Sequence, residues 1–331
     1  MNGNSLIGID LGAHSIKAAQ NGPDGTPLVR LRVPRRDPGS PVCADDIARL
    51  AGVLYRQGAS GRRVAVAAPK PIINRLTMDL PPLDSGAPIE QIVRAEVARQ
   101  RHDDSQDFEC RWDETPQPPR HAAGARAIVS SCAHAGANEI LDLFEEAGLE
   151  PVALHDPAVC LASLATNSQS PRVIATLDLG WTDATFTAVK GGRIRFIRSI
   201  TACGLESLVG DERWLADAIS EIIARAHRPE EEHAEASSEF DALYKRYRSA
   251  IASEVGSSIR YLEGCSDEES PSEIRVCGGG AALPGVVSVL HAETERPVHR
   301  AGTGGPCFAI ASALAAHGIA GSAATPKGAA A

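Results

Sequence analysis

The order of apolar and polar positions along the chain predicts two similar successions of strands and helices. Residues 5–10 (SLIGID) form a short apolar run closed by a carboxylate and Gly12. Residues 16–20 and 27–33 read as two further strands around the Gly/Pro-rich turn 21–26 (NGPDGT), so the chain opens as a β-meander. Residues 44–57 carry Ile47, Leu50, Ala51 and Leu54 at helical spacing. Residues 62–68 (RRVAVAA) read as a buried strand, 72–80 as a strand closed by Pro81–Pro82, and 89–101 as an amphipathic helix with Ile92, Val93 and Val97 on one face. Strands over 108–115 and 126–132 flank a proline-rich loop, 116–124. A helix over 135–147 stops at Gly148, and 151–154 (strand), 157–165 (helix) and the polar break 167–171 follow.

The second half starts again with strands, over 173–178 (VIATLD), 184–190 and 194–200, with Gly191–Gly192 as a hairpin turn. A helix-rich stretch, 205–262, contains the charged segment 227–239, which reads as a solvated loop or exposed helix. A strand over 274–277 runs into Gly278, Gly279 and Gly280. Helix 285–293, strand 298–300 and a small-residue helix 307–317 complete the pattern, and 320–331 (AGSAATPKGAAA) reads as a disordered tail.

The two halves share a motif. Residues 6–17 read LIGIDLGAHSIK and residues 174–185 read IATLDLGWTDAT. Each is an apolar strand, an aspartate, leucine, glycine, a polar hairpin tip and a second strand, half a chain length apart. This is the pattern of a duplicated α/β unit with a site between its halves. Small residues around Gly12 and Gly180 let backbone N–H groups approach phosphate oxygens. Asp10 and Asp178 repel phosphate, yet they can hold Mg²⁺ through water, and Mg²⁺ can bridge phosphates. A third element, VCGGGAALP over 276–284, suits close backbone approach to a flat ring and ribose, with a helix start behind it. One D-x-G is a weak signal; two of them followed by G-G-G, in this order, are more specific.

Composition narrows the partners. The chain has 331 residues, enough for two domains or one domain with two lobes. Its net charge of −9 and its 4% aromatic content exclude bulk electrostatic coating of nucleic acid and base stacking along a single strand, so no nucleic-acid partner is expected. No apolar run reaches the ~18 residues of a membrane span, so no direct membrane insertion is expected. The start MNGNSLIGID has neither a basic n-region nor a cleavable apolar core, which predicts a chain that is not secreted. The eight cysteines are scattered singly without a C-x-x-C pair, the pattern of reduced thiols in a cytoplasm rather than a zinc site.

On these residues the chain resembles the actin-like ATPase superfamily, which includes actin, FtsA and the sugar kinases. Within it the chain looks most like the PilM-type proteins of type IV pilus assembly. GIDLGAHSIKAAQ resembles their first phosphate hairpin, LDLGWTDATFTAVKGGRIRFIRSITACG the second, and VCGGGAALPGVVSVLHAETERPV the adenosine motif. The stretch 74–98, with L-P-P and E-x-A, and the stretch 138–153, with E-A-G-L-x-P-V, resemble the extra subdomain of PilM and FtsA. The similarity spans roughly residues 6–318. It implies an α/β duplicated actin-like (ribonuclease H-like) fold, two lobes around a nucleotide cleft. The implied division is subdomain 1A over 1–70, completed by 150–170; 1C over 71–149; 2A over 171–203 and 273–319; and 2B over 204–272.

The resemblance further implies an ATP- and Mg²⁺-binding scaffold, at most a slow ATPase. Such a scaffold binds the cytoplasmic N-terminal tail of an inner-membrane partner of the PilN type within pilus or secretion machinery. It also implies a cytoplasmic protein held at the inner membrane through that partner, and a homo-oligomer is compatible with it. The alternative is a small-molecule kinase of the same superfamily, although residues 60–152 show no acceptor-site motif. The implied nucleotide-binding residues are Asp10, Gly12, Ala13, His14, Ser15, Lys17, Asp178, Gly180, Trp181, Thr182, Gly278, Gly279, Gly280 and Leu283, with Asp10 and Asp178 nearest the Mg²⁺. Ser15 and Thr182 either donate hydroxyls to phosphate or only supply turn polarity, and Lys17 either reaches phosphate or is a strand lysine. Asp156 either orients an attacking water or caps the helix that starts at Pro157. His14 replaces a usual serine, Trp181 replaces a usual small residue, and 206–241 matches the family poorly.

Overall fold

In the computed structural model the described residues are 6–22, 25–101, 107–116, 124–166, 171–209, 216–217, 219–220, 223, 238–302 and 304–320. The loop 117–123, most of the charged segment 227–239 and the tail 321–331 lie outside them.

Two five-stranded sheets repeat one topology. The first comprises β1 (Ile7–Leu11), β2 (Ser15–Asn21), β3 (Pro27–Pro34), β4 (Arg63–Ala67) and β8 (Glu150–His155), in the order β3-β2-β1-β4-β8. The second comprises β9 (Val173–Leu179), β10 (Ala184–Lys190), β11 (Arg193–Ile200), β12 (Pro271–Cys277) and β13 (Val298–Arg300), in the order β11-β10-β9-β12-β13. In both, three antiparallel strands lead into two parallel ones. The parallel additions need helical crossovers. Those before β4 and β12 contain α1 (Ala44–Arg56) in the first lobe and α6 (Ser238–Cys265) in the second, with α5 (Leu205–Val209) preceding α6.

The helices bury what their periodicity promises. In α1 the buried side chains include Ile47, Leu50 and Leu54, which pack with Ile9, Ile16 and Val64 of the first sheet. β9 is buried at every position from Val173 to Leu179, as a central strand covered on both faces must be. α8 (Ala309–Ala320) follows β13 yet packs on β1, tying the chain's end to its first sheet. That crossing is close: a Cβ at Gly8 would lie 2.0 Å from the carbonyl oxygen of Ala311. The small residues of α8 therefore set its distance from the sheet.

A third sheet, order β5-β7-β6, is built from β5 (Ile73–Leu80), β6 (Phe108–Thr115) and β7 (Ala125–Ala133), with α2 (Ile89–Arg101) against it. Val93 and Val97 of α2 close over Phe108 and Val129. α3 (His134–Glu146) leads from this sheet back to β8, and α4 (Pro157–Thr166) follows. The third sheet also leans on the second lobe: Arg195 Nη1 donates to the Glu114 carbonyl at 3.1 Å. Among the described residues no helix is long and apolar enough to cross a membrane.

Candidate functional site

The two D-x-G hairpins face one cavity of about 640 Å³, lined among others by Asp10, Lys17, Lys70, Asp178 and Asp183. That volume lies in the range of small-molecule sites. Twelve of the nucleotide-site residues implied by the sequence line it: Asp10, Gly12, Ala13, His14, Ser15, Lys17, Asp178, Gly180, Trp181, Thr182, Gly278 and Gly279.

In the first hairpin, Asp10 and Lys17 are direct cross-strand partners, so their side chains share a face. Lys17 Nζ lies 3.0 Å from Asp10 Oδ2. Burial alone would lower the Lys17 pKa, but the Asp10 carboxylate, with Asp178 adding to it, raises it above the ordinary value. Lys17 is therefore a fixed cation in the cleft. Gly12 makes room for it, since a Cβ there would sit 2.5 Å from Lys17 Nζ. Arg32 stands opposite Lys17 on β3 and donates from Nε to Ser15 Oγ at 3.0 Å. Arg35 holds the hairpin tip from behind, donating to the Ala13 carbonyl at 3.3 Å and to Asp46 at 3.0 Å.

In the second hairpin, Asp178 is buried, and burial raises its pKa, with Asp10 adding to the rise while Lys70 and Lys17 oppose it. The Gly180 N–H donates to the Asp183 carbonyl at 3.1 Å, and a Cβ on Gly180 would lie 2.8 Å from that oxygen. The hairpin carbonyls of Gly180 and Trp181 in turn accept from Leu205 and Glu206 at the start of α5. The two hairpin tips meet: the His14 and Trp181 rings lie 4.1 Å apart at an angle of 33°. Burial, then Arg32 and Lys17, lower the His14 pKa to about 4, so its ring is neutral at neutral pH.

Three implied residues have other places. Leu283 is fully buried in the core of the second lobe, with Val276 and Leu177. Gly280 is buried against Leu179, where a Cβ would lie 2.7 Å from the Leu179 Cβ. Neither lines the cavity. Gly278, at φ +83°, is needed because a Cβ would meet Asp178 Oδ1 at 2.4 Å. The glycine run thus serves close packing of its strand end on β9. It is followed by a 3₁₀ turn, Gly279–Ala282, and α7 (Val286–Thr294) starts only beyond Gly285, so no α-helix N-terminus directly follows it.

Asp156 is the third. Its carboxylate accepts both the Arg75 guanidinium and the Ala158 N–H at 2.8 Å, the latter as the cap of α4. It does not line the cavity, and its oxygens are engaged in joining β5 to α4. Of the two readings of Asp156, these contacts are those of the helix cap.

Sequence reasoning missed Arg32, Arg35, Lys70 and Asp183. The alternation RLR over residues 30–32 of β3 carries the signal for Arg32, and Arg35 lies just beyond the strand. Lys70 and Asp183 carry no such local signal. Among the described residues there is no group of three His, Cys, Asp or Glu side chains set to hold a metal. Two carboxylates with hydroxyls nearby nonetheless fit Mg²⁺, which keeps most of its water shell. The cations Lys17, Arg32 and Lys70 on the same walls fit the phosphates.

No protein-family model matches the chain, and no curated protein matches it by sequence. Solved structures do match. The PilM-PilN type IV pilus biogenesis complex superposes with a TM-score of 0.70 at 19% identity, covering 95% of this chain and 98% of that one. The ethanolamine utilization protein EutJ from Carboxydothermus hydrogenoformans gives 0.56 at 16% identity, covering 93% and 88%. MreB5 of Spiroplasma citri bound to ADP gives 0.52 at 13% identity, covering 94% and 95%. With its duplicated sheets and paired hairpins, the chain has the actin-like ATPase fold.

Proposed function

We propose that this protein is an ATP–Mg²⁺-binding scaffold whose partner is a short peptide from an inner-membrane protein of the PilN type in a pilus-assembly machine. The observation that carries the nucleotide half is the pair of D-x-G hairpins facing one cavity, with Asp10, Asp178 and Lys17 on its walls. In this reading Asp10 and Asp178 hold the hydrated Mg²⁺, Lys17 and Arg32 meet phosphate oxygens, and Gly12 and Gly180 let the backbone close in. Mg²⁺ would neutralise the triphosphate between the two carboxylates. Asp156 is taken up by Arg75 and the α4 cap, which favours binding over turnover.

The partner half is supported by the same cavity's far end. It runs on to an apolar floor of Val42, Ile72, Ile140 and Leu143, rimmed by Glu139, Asp142 and Glu146. An apolar floor with an acidic rim suits a short peptide carrying aliphatic anchors and basic flanks. The test is a thermal shift. Mg-ATP at a hundredfold excess over Kd should stabilise the protein by about 2.7 kcal/mol. Asp10→Ala should lose that shift without unfolding. An unshifted parent at millimolar Mg-ATP would sink the nucleotide half.

A further inference from the structure

The lobes meet at the cavity through a contact that the hairpin motifs do not explain. Lys70 lies in the 3₁₀ turn Lys70–Ile72 between β4 and β5, with Pro69 and Pro71 on either side. Its ammonium crosses to the second lobe, donating to the Asp183 carboxylate and to Thr185 Oγ1 at 2.9 Å. Asp183 is buried, and it also accepts the Ser199 hydroxyl on its other oxygen and the Thr182 hydroxyl at 3.5 Å. Its carboxylate therefore stays hydrogen-bonded when Lys70 leaves. The Lys70 side chain is 31% exposed and lines the cavity with Asp10, Lys17 and Asp178. The flanking prolines restrict its backbone, while its four-carbon stem is free to swing.

We infer that Lys70 is a terminal-phosphate ligand held in reserve by Asp183: it latches the two lobes through Asp183 in the nucleotide-free protein and transfers to the last phosphate of a bound nucleoside triphosphate. The inference rests on the nucleotide reading above. One charge-assisted contact replaces another, and the Ser199 and Thr182 hydroxyls on Asp183 limit the cost of leaving its carboxylate without a cation. A triphosphate supplies one more phosphoryl group for Lys70 than a diphosphate does, so Lys70 sets the preference between them. Asp183 competes for the same ammonium and lowers the apparent triphosphate affinity.

Calorimetric titration of Mg-ATP and Mg-ADP into the parent, Lys70→Ala, Lys70→Arg and Asp183→Asn tests this. Lys70→Ala should weaken Mg-ATP by about tenfold or more while moving Mg-ADP by less than about threefold. Lys70→Arg should keep most of the discrimination. Asp183→Asn, which keeps a polar partner for Ser199, should tighten Mg-ATP relative to Mg-ADP. Equal weakening of both nucleotides in Lys70→Ala, or loss of Mg-ATP affinity in Asp183→Asn, would overturn the assignment. Ligand-free melting curves of each variant establish that it is folded. A parent that binds neither nucleotide defeats the nucleotide reading and this inference together. A parent that binds both, with variants that do not separate them, defeats the Lys70 assignment alone.

Discussion

The two hairpins occupy equivalent places in equivalent sheets, yet they balance their charge differently. In the first, the residue opposite Asp10 is Lys17, and the carboxylate has a cation from its own hairpin. In the second, the residue opposite Asp178 is Thr185, and the cation that reaches Thr185 and Asp183 is Lys70 of the other lobe. One hairpin is electrostatically self-contained, and the other borrows across the cleft. An ion pair inside a hairpin forms whenever the hairpin forms. A pair across a cleft exists only while the lobes are closed, so it can report on what lies between them.

The largest test of this difference removes the cation from the self-contained hairpin. Lys17→Met leaves Asp10 unpaired beside Asp178 and should cost about 3 kcal/mol, read by urea unfolding. Thr185→Val, at the equivalent place, removes only an acceptor for Lys70 and should cost about 1 kcal/mol. Equal losses would erase the comparison. The sign with pH follows from the raised Lys17 pKa. Its contribution is fully present below the ordinary lysine value of 10.5 and is lost as pH rises through the higher folded value.

A smaller test uses the carboxylates themselves. Because the folded Asp178 pKa is raised, its contribution is present below the ordinary value of 3.8 and falls away as pH rises through the folded value. At neutral pH the raised pKa makes this carboxyl a burden on the ligand-free fold. Asp178→Asn should therefore stabilise the ligand-free protein by about 1 kcal/mol, an ordinary size for a point change, while weakening Mg-ATP binding. Asp10→Asn should destabilise instead, because it strips Lys17 of its partner. Melting temperatures with and without Mg-ATP separate the two, and a destabilised Asp178→Asn would contradict the burial argument.

The smallest effect concerns the tips. Lowered to about 4, His14 contributes stability that is present above its ordinary value of 6.5 and lost as pH falls from there to about 4. His14→Phe keeps a ring against Trp181 and removes the titration. The melting temperature of this variant should fall less steeply than the parent's between pH 6.5 and 4. Parallel curves would mean that the His14 ring is not held neutral by the closed tips.

Much of the fold was legible because it is written locally. The strand over 184–190, the helix over 89–101 and the strand over 108–115 have the bounds expected from periodicity and turn residues. The duplicated hairpins were legible because each is a continuous twelve-residue pattern whose register follows from its turn. The glycine run misled in part. Glycine marks close approach without saying to what, and here Gly280 approaches Leu179 of β9 and does not line the cavity, while Gly278 does both. Leu283 misled for the same reason: a motif position says nothing of whether a leucine faces a cleft or the core.

By itself, then, the sequence determined the elements and their duplication, since these depend on neighbours a few residues apart. Only the tertiary structure decided that Lys70 reaches Asp183, that the His14 ring meets that of Trp181, and that Arg75 occupies Asp156. Those contacts join residues 113, 167 and 81 positions apart in the chain. No local propensity encodes such pairs. They arise from the packing of whole sheets, and the chemistry of the cleft is set by which side chains that packing brings face to face.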